Sequence, residues 1–217
     1  MGTLKPGQVG LVKGKVGDIV VSKWKKKITT RSAPGKATKP ASISQLEQRL
    51  KLSLISSFIA AVSAAIILGF QSCNRKMTPV NAAIKFHLNE LIVGVYPDYS
   101  IDYTKVKLTL PNSVDRIADG LRVAIEIEQA SVLKITWVKS EYPNRVTKIT
   151  DQAYILCFNV NTGRCLYYKE VSTRGEEMAR LVVPHILKGK EVHGYLFFVS
   201  ANGKLVSNTN YLGTIVL

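Results

Sequence analysis

The sequence predicts a mainly β protein that has two helices near its N-terminus. After about residue 100, apolar and polar residues alternate with period two between regular turn signals, which is typical of an antiparallel β-sandwich. Residues 52–70 contain no charged side chain, which indicates a long apolar helix. The first forty residues are rich in glycine and lysine, and they predict a basic arm with a short β-hairpin.

These observations divide the chain of 217 residues into three segments. Residues 1–40 form the basic, glycine-rich arm, residues 41–95 form a two-helix segment, and residues 96–217 form the sandwich. A chain of this length is enough for one large domain or for one ordinary domain with an extension. We expect residues from about 100 to the end to fold alone, with Trp137 buried in their core.

Positive charge is concentrated in the first quarter of the chain. Residues 1–51 hold twelve lysines and arginines against Asp18 and Glu47, a net charge of +10, while the whole protein carries +15. Such an excess predicts a polyanionic partner, namely a nucleic acid, an anionic membrane surface or an acidic protein surface. A solvated basic tail that aids solubility is the alternative.

Within the arm, residues 18–24 and 28–31 predict two short strands around a lysine-rich tip. Alternation places Ile19 and Val21 on one face of the first strand and the residues between and after them on the other. A cationic tip beside an aromatic ring suits phosphate contact and base stacking. The alternative is that the tryptophan covers the protein's own core and the lysines keep the strand edges soluble. The candidate polyanion-binding residues are Lys23, Trp24, Lys25, Lys26, Lys27, Arg31, Lys36 and Lys39.

Two helices are predicted between the arm and the sandwich. Ser44 and Glu47 have the spacing of a capping box, and Gly69 is a natural helix stop. The first helix is therefore expected over about residues 45–68. Thr78 followed by a proline predicts the start of a second helix.

The apolar helix has two potential environments. Leu52 to Phe70 is a run of nineteen residues without charge, which is long enough to cross a bilayer. Its serines and alanines form a narrow stripe, which suits packing inside a protein as well as packing in a membrane bundle. We expect burial within protein. A membrane-anchored sandwich with its basic end in the cytoplasm is the alternative.

Strands and turns alternate after residue 100. Asn202-Gly203 between two apolar runs is the clearest hairpin signal. The predicted strands are Ile101–Leu110, Leu121–Glu128, Leu133–Val138, Ala153–Val160, Arg164–Glu170, Ala179–Val183, Val192–Ser200 and Lys204–Leu212.

Neither a catalytic site nor a metal or cofactor site is predicted. Cys73, Cys157 and Cys165 lack disulfide or metal-ligand spacing, and the last two are expected to pack as small apolar residues of strands. Residues 10–15 (GLVKGK) have one residue too few between the glycines for a phosphate-binding loop, and a valine follows the lysine. We therefore expect a non-enzymatic protein without cofactors. No signal peptide is predicted, so a cytoplasmic or particle-associated location is expected.

Three apolar runs resemble strands of a known domain family. Leu133–Trp137, Ala153–Phe158 and Gly194–Ala201 are similar to strands of a fibronectin type III domain. In that fold a tryptophan of an early strand packs in the core, and a late strand carries a tyrosine. The resemblance covers about residues 100–217 and implies a fibronectin-III/immunoglobulin-like sandwich.

A second resemblance spans nearly the whole chain and rests on these short motifs: Gly14–Gly17, Trp24-Lys25, Arg31-Ser32, Pro34, Gln45–Arg49, Met77–Ala83, Tyr96–Asp98, Ile101–Tyr103 and Ser207–Gly213. They resemble an uncharacterised Bacteroidota family, catalogued as a domain of unknown function. This likeness implies a similar architecture and carries no activity. Residues 39–49 also resemble a segment of phage-encoded hypothetical proteins, which raises the hypothesis of a virion role.

Three classes of function follow. The first is a structural or assembly protein, as in a phage-like or other multi-subunit particle, with protein partners or copies of itself. The second is a nucleic-acid-associated protein that binds through its basic arm. The third is a membrane-anchored sandwich that uses residues 52–70. We predict the first class and keep the other two as alternatives.

Overall fold

A computed structural model gives the fold of this chain. Contacts divide the chain into two compact units, residues 1–42 and residues 43–217. The segments predicted as 41–95 and 96–217 therefore pack into one unit rather than two. The structure describes residues 2–3, 14–24, 27–35, 40–75, 77–111, 116–129, 132–140, 144–184 and 189–217.

The N-terminal unit contains a four-stranded antiparallel sheet. Its strands are β1 (Gly2–Thr3), β2 (Gly14–Val16), β3 (Ile19–Trp24) and β4 (Lys27–Ser32). They lie in the order β1-β4-β3-β2. β3 and β4 pair as a hairpin at the predicted place, and β1 and β2, which were not predicted, extend it on both sides.

A two-residue turn joins β2 to β3. Val16 pairs with Ile19 across Gly17 and Asp18, and Gly17 has φ +57°. Glycine adopts this left-handed conformation without a steric penalty, which is why it suits a tight hairpin turn. The turn fixes which residues of the two strands face each other.

Three helices open the second unit in the part of the chain that the structure describes. They are α1 (Ile43–Ala61), α2 (Ser63–Gly69) and α3 (Pro79–Glu90). The predicted start of α3 is confirmed: the Asn81 amide donates to Thr78 Oγ1 at 3.2 Å. This bond satisfies one of the amides that a helix leaves free at its N-terminus.

The single helix predicted over residues 45–68 is wrong. The chain breaks at Val62, and α1 and α2 are bent by 85°. At the break, the Ala61 carbonyl accepts a hydrogen bond from Cys165 Sγ at 3.0 Å, and the Ala65 amide donates to Val62 instead. The bend lets both halves turn their apolar faces toward the same sheet, a tertiary effect that the helical pattern does not encode.

The helix ends also differ from the predicted capping. α1 begins one residue before Ser44, and Glu47 accepts a hydrogen bond from the Tyr99 hydroxyl at 2.6 Å instead of closing a capping box. Gly69 ends α2 as predicted, although for another reason. A Cβ at this position would lie 2.0 Å from the Leu108 carbonyl oxygen, so only glycine allows the observed packing.

The rest of the second unit is mainly β, as predicted. Its strands are β5 (Ile92–Val95), β6 (Asp98–Ile101), β7 (Leu121–Gln129), β8 (Val132–Val138), β9 (Gln152–Asn159), β10 (Arg164–Tyr168), β11 (Met178–Val182), β12 (Glu191–Val199) and β13 (Asn210–Val216). They form a β5-β6 hairpin, a three-stranded sheet β11-β8-β7 and a four-stranded sheet β10-β9-β12-β13. Every pairing is antiparallel, and the two larger sheets face each other as a sandwich.

Two apolar cores lie on opposite faces of the four-stranded sheet. The inner core, between the two sheets, includes Ile135 and Trp137 of β8 and Phe198 of β12. The outer core, between the four-stranded sheet and the helices, includes Ile59 of α1 and Phe197 of β12. The helices and the sandwich form one unit because they share this sheet.

Two of the predicted strands differ from the structure. The strand predicted over Ile101–Leu110 is wrong beyond its first residue, since β6 ends there and a short 3-10 turn follows. Asn202-Gly203 forms the predicted turn, with Val199 bridged to Val206. The chain then leaves the sheet and returns to pair with β12 only at Asn210, so the strand predicted over Lys204–Leu212 is placed too early.

Trp137 is buried as predicted, with 2% of its surface exposed. Its Nε1 donates to the Arg174 carbonyl at 3.0 Å, and its ring meets Phe198 edge-on at 5.5 Å. The Arg174 guanidinium lies 3.9 Å over the same phenylalanine ring and forms a buried ion pair with Asp151 at 3.4 Å. Trp137 therefore links the apolar core to a buried polar group.

Cys157 and Cys165 pack as small apolar residues, as predicted. Cys157 lies in the inner core and Cys165 packs on the outer core, so the two thiols are on opposite faces of the sheet. Burial raises the pKa of the Cys157 thiol to about 12, which keeps it protonated at neutral pH.

The apolar segment 52–70 is packed against protein. Ile55, Phe58, Ile66 and Phe70 belong to the outer core. In the described ranges, no single helix has both the length and the apolar character of a bilayer span. α1 and α2 meet those criteria only when they are taken together, across their 85° bend.

Candidate functional site

The structure describes the side chains of three of the eight predicted polyanion-binding residues. Lys23, Lys27 and Arg31 lie on β3 and β4, and their side chains are exposed. The backbone of Trp24 pairs with that of Lys27. The Trp24 side chain lies outside the described part of the molecule. The other four candidates, Lys25, Lys26, Lys36 and Lys39, lie outside the described residues.

The register of the N-terminal sheet gives it two chemically different faces. Directly paired residues of antiparallel strands point to the same face, and neighbours along a strand point to opposite faces. The more apolar face carries Val16, Ile19, Val21 and Ile28, together with Thr30, Ser32 and, at one end, Lys23, which pairs with Ile28. The basic face carries Lys15, Val20, Ser22, Lys27, Thr29 and Arg31.

The basic face places three cations around a pair of hydroxyls. Lys15 and Arg31 both pair with Val20, one from each neighbouring strand. Ser22 Oγ and Thr29 Oγ1 are 2.9 Å apart, which agrees with the face that the register assigns to them. Side chains of these types contact phosphate oxygens in nucleic-acid complexes.

Lys15 also belongs to this face, although it is not among the residues predicted from the sequence. It stands outside the dense lysine cluster, and only the pairing of β2 with β3 brings it beside Val20. Conversely, Lys23 is separated from the other cations because it lies on the apolar face. Charge density along the sequence therefore does not sort these cations by face.

The apolar face is poorly covered. Val21 is buried, whereas 56% of Val16 and 51% of Ile19 are exposed to solvent. Both exposed residues flank the Gly17-Asp18 turn, where they pair with each other. An apolar sheet face normally packs against another layer, so these residues form a candidate contact surface.

A second exposed apolar surface lies at the start of α1. Ile43, Leu46 and Leu50 are 70%, 40% and 39% exposed. Spacings of three and four residues place them on one side of the helix. The spacing is that of one heptad, about two turns, of a helix–helix seam.

A polar cleft opens beside β12. It has a volume of about 230 Å³ and is lined by Tyr103, Val160, Asn161, Glu191 and His193. The His193 imidazole stacks on the Tyr103 ring with centroids 4.7 Å apart.

One edge of that imidazole is already engaged. His193 Nδ1 is 2.8 Å from the Tyr211 hydroxyl and 3.3 Å from Thr214 Oγ1. Burial lowers the pKa of His193, with Glu191 opposing that shift, so the ring is neutral at physiological pH. The cleft can hydrogen-bond a small polar molecule. The cleft was not predictable from sequence, because its lining residues come from distant parts of the chain.

His87, by contrast, has a structural role. It is fully buried, its Nδ1 lies 2.7 Å from the Ala83 carbonyl oxygen, and its Nε2 accepts the Lys107 amide at 3.3 Å. Burial lowers the pKa of His87, which favours the neutral ring with its proton on Nδ1. The third histidine, His185, lies outside the described residues.

Comparison with solved structures gives a distant likeness. The fibronectin type III domain of the human collagen alpha-1(XX) chain matches with 11% sequence identity and a TM-score of 0.36. The match covers 48% of this chain and 88% of that domain.

Comparison with protein families gives a match over most of the chain. A search of the curated proteins finds no match. The model of a family of unknown function, DUF6266, matches residues 11–213, which include the N-terminal sheet from β2 onward, the helices and most of the sandwich. This chain belongs to the DUF6266 family of unknown function.

Proposed function

We propose that this protein is a non-enzymatic assembly protein and that its N-terminal sheet joins copies of the chain to one another. The occupant proposed for the apolar face is the same face of a second copy. A phage-like or other multi-subunit particle is one setting in which such a protein would act.

The observation that carries the proposal is the poor cover of the apolar face. Val21 is buried, but Val16 and Ile19 on the same face remain more than half exposed. A small sheet gains stability mainly from a buried apolar face, because its backbone hydrogen bonds contribute little net free energy. The sheet therefore has an apolar surface that a partner would stabilise.

The charge distribution favours a second copy as the occupant. If two apolar faces pack together, Lys15, Lys27 and Arg31 point outward and these like charges stay apart, while Lys23, at the end of the apolar face, remains on the contact side. Sheets that pack in this way lie about 10 Å from each other. Such a contact is two-fold symmetric, so it closes on itself and forms a dimer.

The exposed apolar surface at the start of α1 provides a second contact between copies of the chain. Ile43, Leu46 and Leu50 belong to the other compact unit, so this observation is independent of the sheet. A parallel or antiparallel helix from a neighbouring copy would fit the three-and-four spacing. Two separate contacts per chain would extend a dimer into a larger assembly.

We also propose that the sandwich is of the fibronectin type III kind. The support is the tryptophan of an early strand, Trp137 of β8, in the inner core, and the tyrosine of a late strand, Tyr195 of β12. Tyr195 points into the outer core and donates its hydroxyl to the Tyr103 carbonyl at 2.8 Å. In this protein that tyrosine thus fastens the sheet to the segment that follows the helices.

Light scattering during size-exclusion chromatography tests the proposal over a range of protein concentrations. We expect the full chain to form dimers or larger species, and Ile19→Lys to weaken them by placing a charge in the contact. Arg31→Gln is the matched control on the opposite face and should leave association unchanged or stronger. Raising the salt from about 50 to 500 mM should not dissociate the assembly, since salt screens the repulsion between copies.

A full chain that stays monomeric at every concentration would overturn the proposal. An assembly that forms equally well with Ile19→Lys, but is lost when Leu46 and Leu50 are replaced by serine, would assign association to α1 and remove the sheet from it. Each variant needs an unchanged thermal melt, and the exposure of these residues makes that the expected result.

A further inference from the structure

We propose that the basic face of the N-terminal sheet binds the phosphate backbone of a nucleic acid without reading its sequence. Lys15, Lys27 and Arg31 supply the charges, and Ser22 and Thr29 supply hydroxyls between them. This inference depends on the basic face alone and stands whether or not copies of the chain associate.

The cations of this face are available for an external anion. Lys15, Lys27 and Arg31 are exposed. None of the three forms an ion pair with a carboxylate in the part of the chain that the structure describes. Residues 1–42 contain a single acidic residue, Asp18, which lies in the turn between β2 and β3. The local charge is thus not neutralised from within the sheet.

The dimensions of the face suit a phosphate backbone. Lys15 and Arg31 lie two strand spacings apart, about 10 Å, and Lys27 lies about 14 Å from Arg31 along β4. Duplex DNA carries one charge per about 3.4 Å of each strand, so a length of about 14 Å contains about four phosphates on one strand. Three cations can each reach a phosphate without moving the strands that carry them.

The hydroxyl pair adds two hydrogen-bond donors that suit the oxygens of a phosphate. Ser22 and Thr29 bond to each other at 2.9 Å, and either hydroxyl can instead donate to a phosphate oxygen. Serine, threonine, lysine and arginine together are typical of backbone contacts in protein–DNA interfaces. None of them reads a base from this geometry, so the binding is expected to be independent of sequence.

Fluorescence anisotropy of the full chain with a short random-sequence DNA duplex tests the inference. Each phosphate contact contributes about −0.9 to the slope of log affinity against log salt. Replacing Lys15, Lys27 and Arg31 by glutamine should therefore make the slope less steep by about 2.7. The same titration with vesicles rich in phosphatidylserine distinguishes a nucleic acid from an anionic membrane.

The structure offers a matched pair of single variants. Arg31→Gln and Lys23→Gln each remove one exposed charge from the same sheet, but from opposite faces. We expect Arg31→Gln to reduce the slope by about 0.9 and Lys23→Gln to leave it unchanged. If the positive charge served only for solubility, or acted only through the net charge of the protein, the two variants would have equal effects.

The inference would be overturned if Arg31→Gln and Lys23→Gln had equal effects, or if the chain showed no salt-dependent binding to DNA. It would also be overturned if the triple variant lost binding to the anionic vesicles but still bound DNA. An unchanged thermal melt of the triple variant, with self-association no weaker than that of the native chain, establishes that the sheet remains folded. Loss of DNA binding with intact association would then locate binding on the basic face.

Discussion

The protein contains two four-stranded antiparallel sheets that differ in what covers them. The sheet β10-β9-β12-β13 lies between the inner and outer cores, so β9 and β12 are buried on both faces. The N-terminal sheet β1-β4-β3-β2 has Val21 as the buried apolar residue among those that the structure describes. Both sheets have the same kind of hydrogen-bond ladder, and only one has two cores.

This difference indicates where each sheet obtains its stability. Burial of apolar surface contributes about 25 cal/mol per Å², whereas a backbone hydrogen bond mostly replaces one made to water. The central sheet is thus stabilised within its own chain. The N-terminal sheet leaves apolar and basic surface open, which is the arrangement expected of a surface that meets a partner.

The largest effect is expected when the outer core is removed. A fragment of residues 100–217 lacks α1, α2 and α3, and it exposes Leu156, Phe158 and Phe197 of the central sheet. We expect this fragment to aggregate or to bind a hydrophobic dye without a cooperative melt, whereas residues 43–217 melt cooperatively. This revises the expectation that the sandwich folds alone. A monomeric fragment with a sharp melt near that of 43–217 would contradict it.

The inner core predicts the next largest effect. Trp137→Ala should lower the free energy of unfolding by about 3–5 kcal/mol, because it leaves a cavity and an unpaired Arg174 carbonyl. Val182→Ala, at a site that is 72% exposed, is the control and should change it by less than about 0.5 kcal/mol. Urea unfolding measures both. A loss below about 1 kcal/mol for Trp137→Ala would place the ring outside the core.

Equivalent truncations in the two sheets compare them directly. Leu156→Ala in β9 should cost about 2–5 kcal/mol of the stability of the second unit. Val21→Ala in β3 should leave the melt of that unit unchanged, since Val21 belongs to neither of its two apolar cores. Differential scanning calorimetry separates the transitions. A shift of the main transition by Val21→Ala would show that the two sheets are energetically coupled.

The smallest predicted effect is a dependence on pH from His87. Burial lowers its pKa, so the unfolded chain binds the proton more tightly than the folded one. Stability is therefore full above the unfolded pKa of about 6.5, falls as the pH drops below it, and levels off below the folded pKa. The slope is at most about 1.4 kcal/mol per pH unit for one group.

Urea midpoints between pH about 5 and 8 measure this dependence, and His87→Gln should make it less steep. His193, whose pKa is also lowered by burial, contributes in the same direction. The carboxylates with lowered pKa values, Asp102, Glu128 and Glu176, affect stability only below about pH 5, outside this window. Equal slopes for the variant and the native protein would exclude His87 as the source.

The sequence predicted the strands of the sandwich well where the alternation of apolar and polar residues indicates which side chains are buried. Alternation in β8, with Leu133, Ile135 and Trp137 inward, predicted a strand with one buried face. The uninterrupted apolar run of β9 over residues 153–158 carried more information than the prediction used. Such a run indicates a strand covered on both faces, and here the second cover is the helical layer.

The helix break and the two faces of the N-terminal sheet were not predictable in the same way. At the break, the Ala61 carbonyl accepts a hydrogen bond from the Cys165 thiol, which lies 104 residues away along the chain. Lys15 joins the basic face only through the register of β2 with β3. Both features come from tertiary pairing, which local propensity and periodicity do not contain.

Hydrogen–deuterium exchange at several protein concentrations tests most directly whether the N-terminal sheet is completed by a second copy. Amides of β9 and β12 should be protected equally at all concentrations, because both of their covering layers belong to the same chain. Amides of β3 and β4 should gain protection as the concentration rises and lose it with Ile19→Lys. Protection of β3 and β4 that is high and independent of concentration would contradict the account, since the sheet would then be stable without a partner.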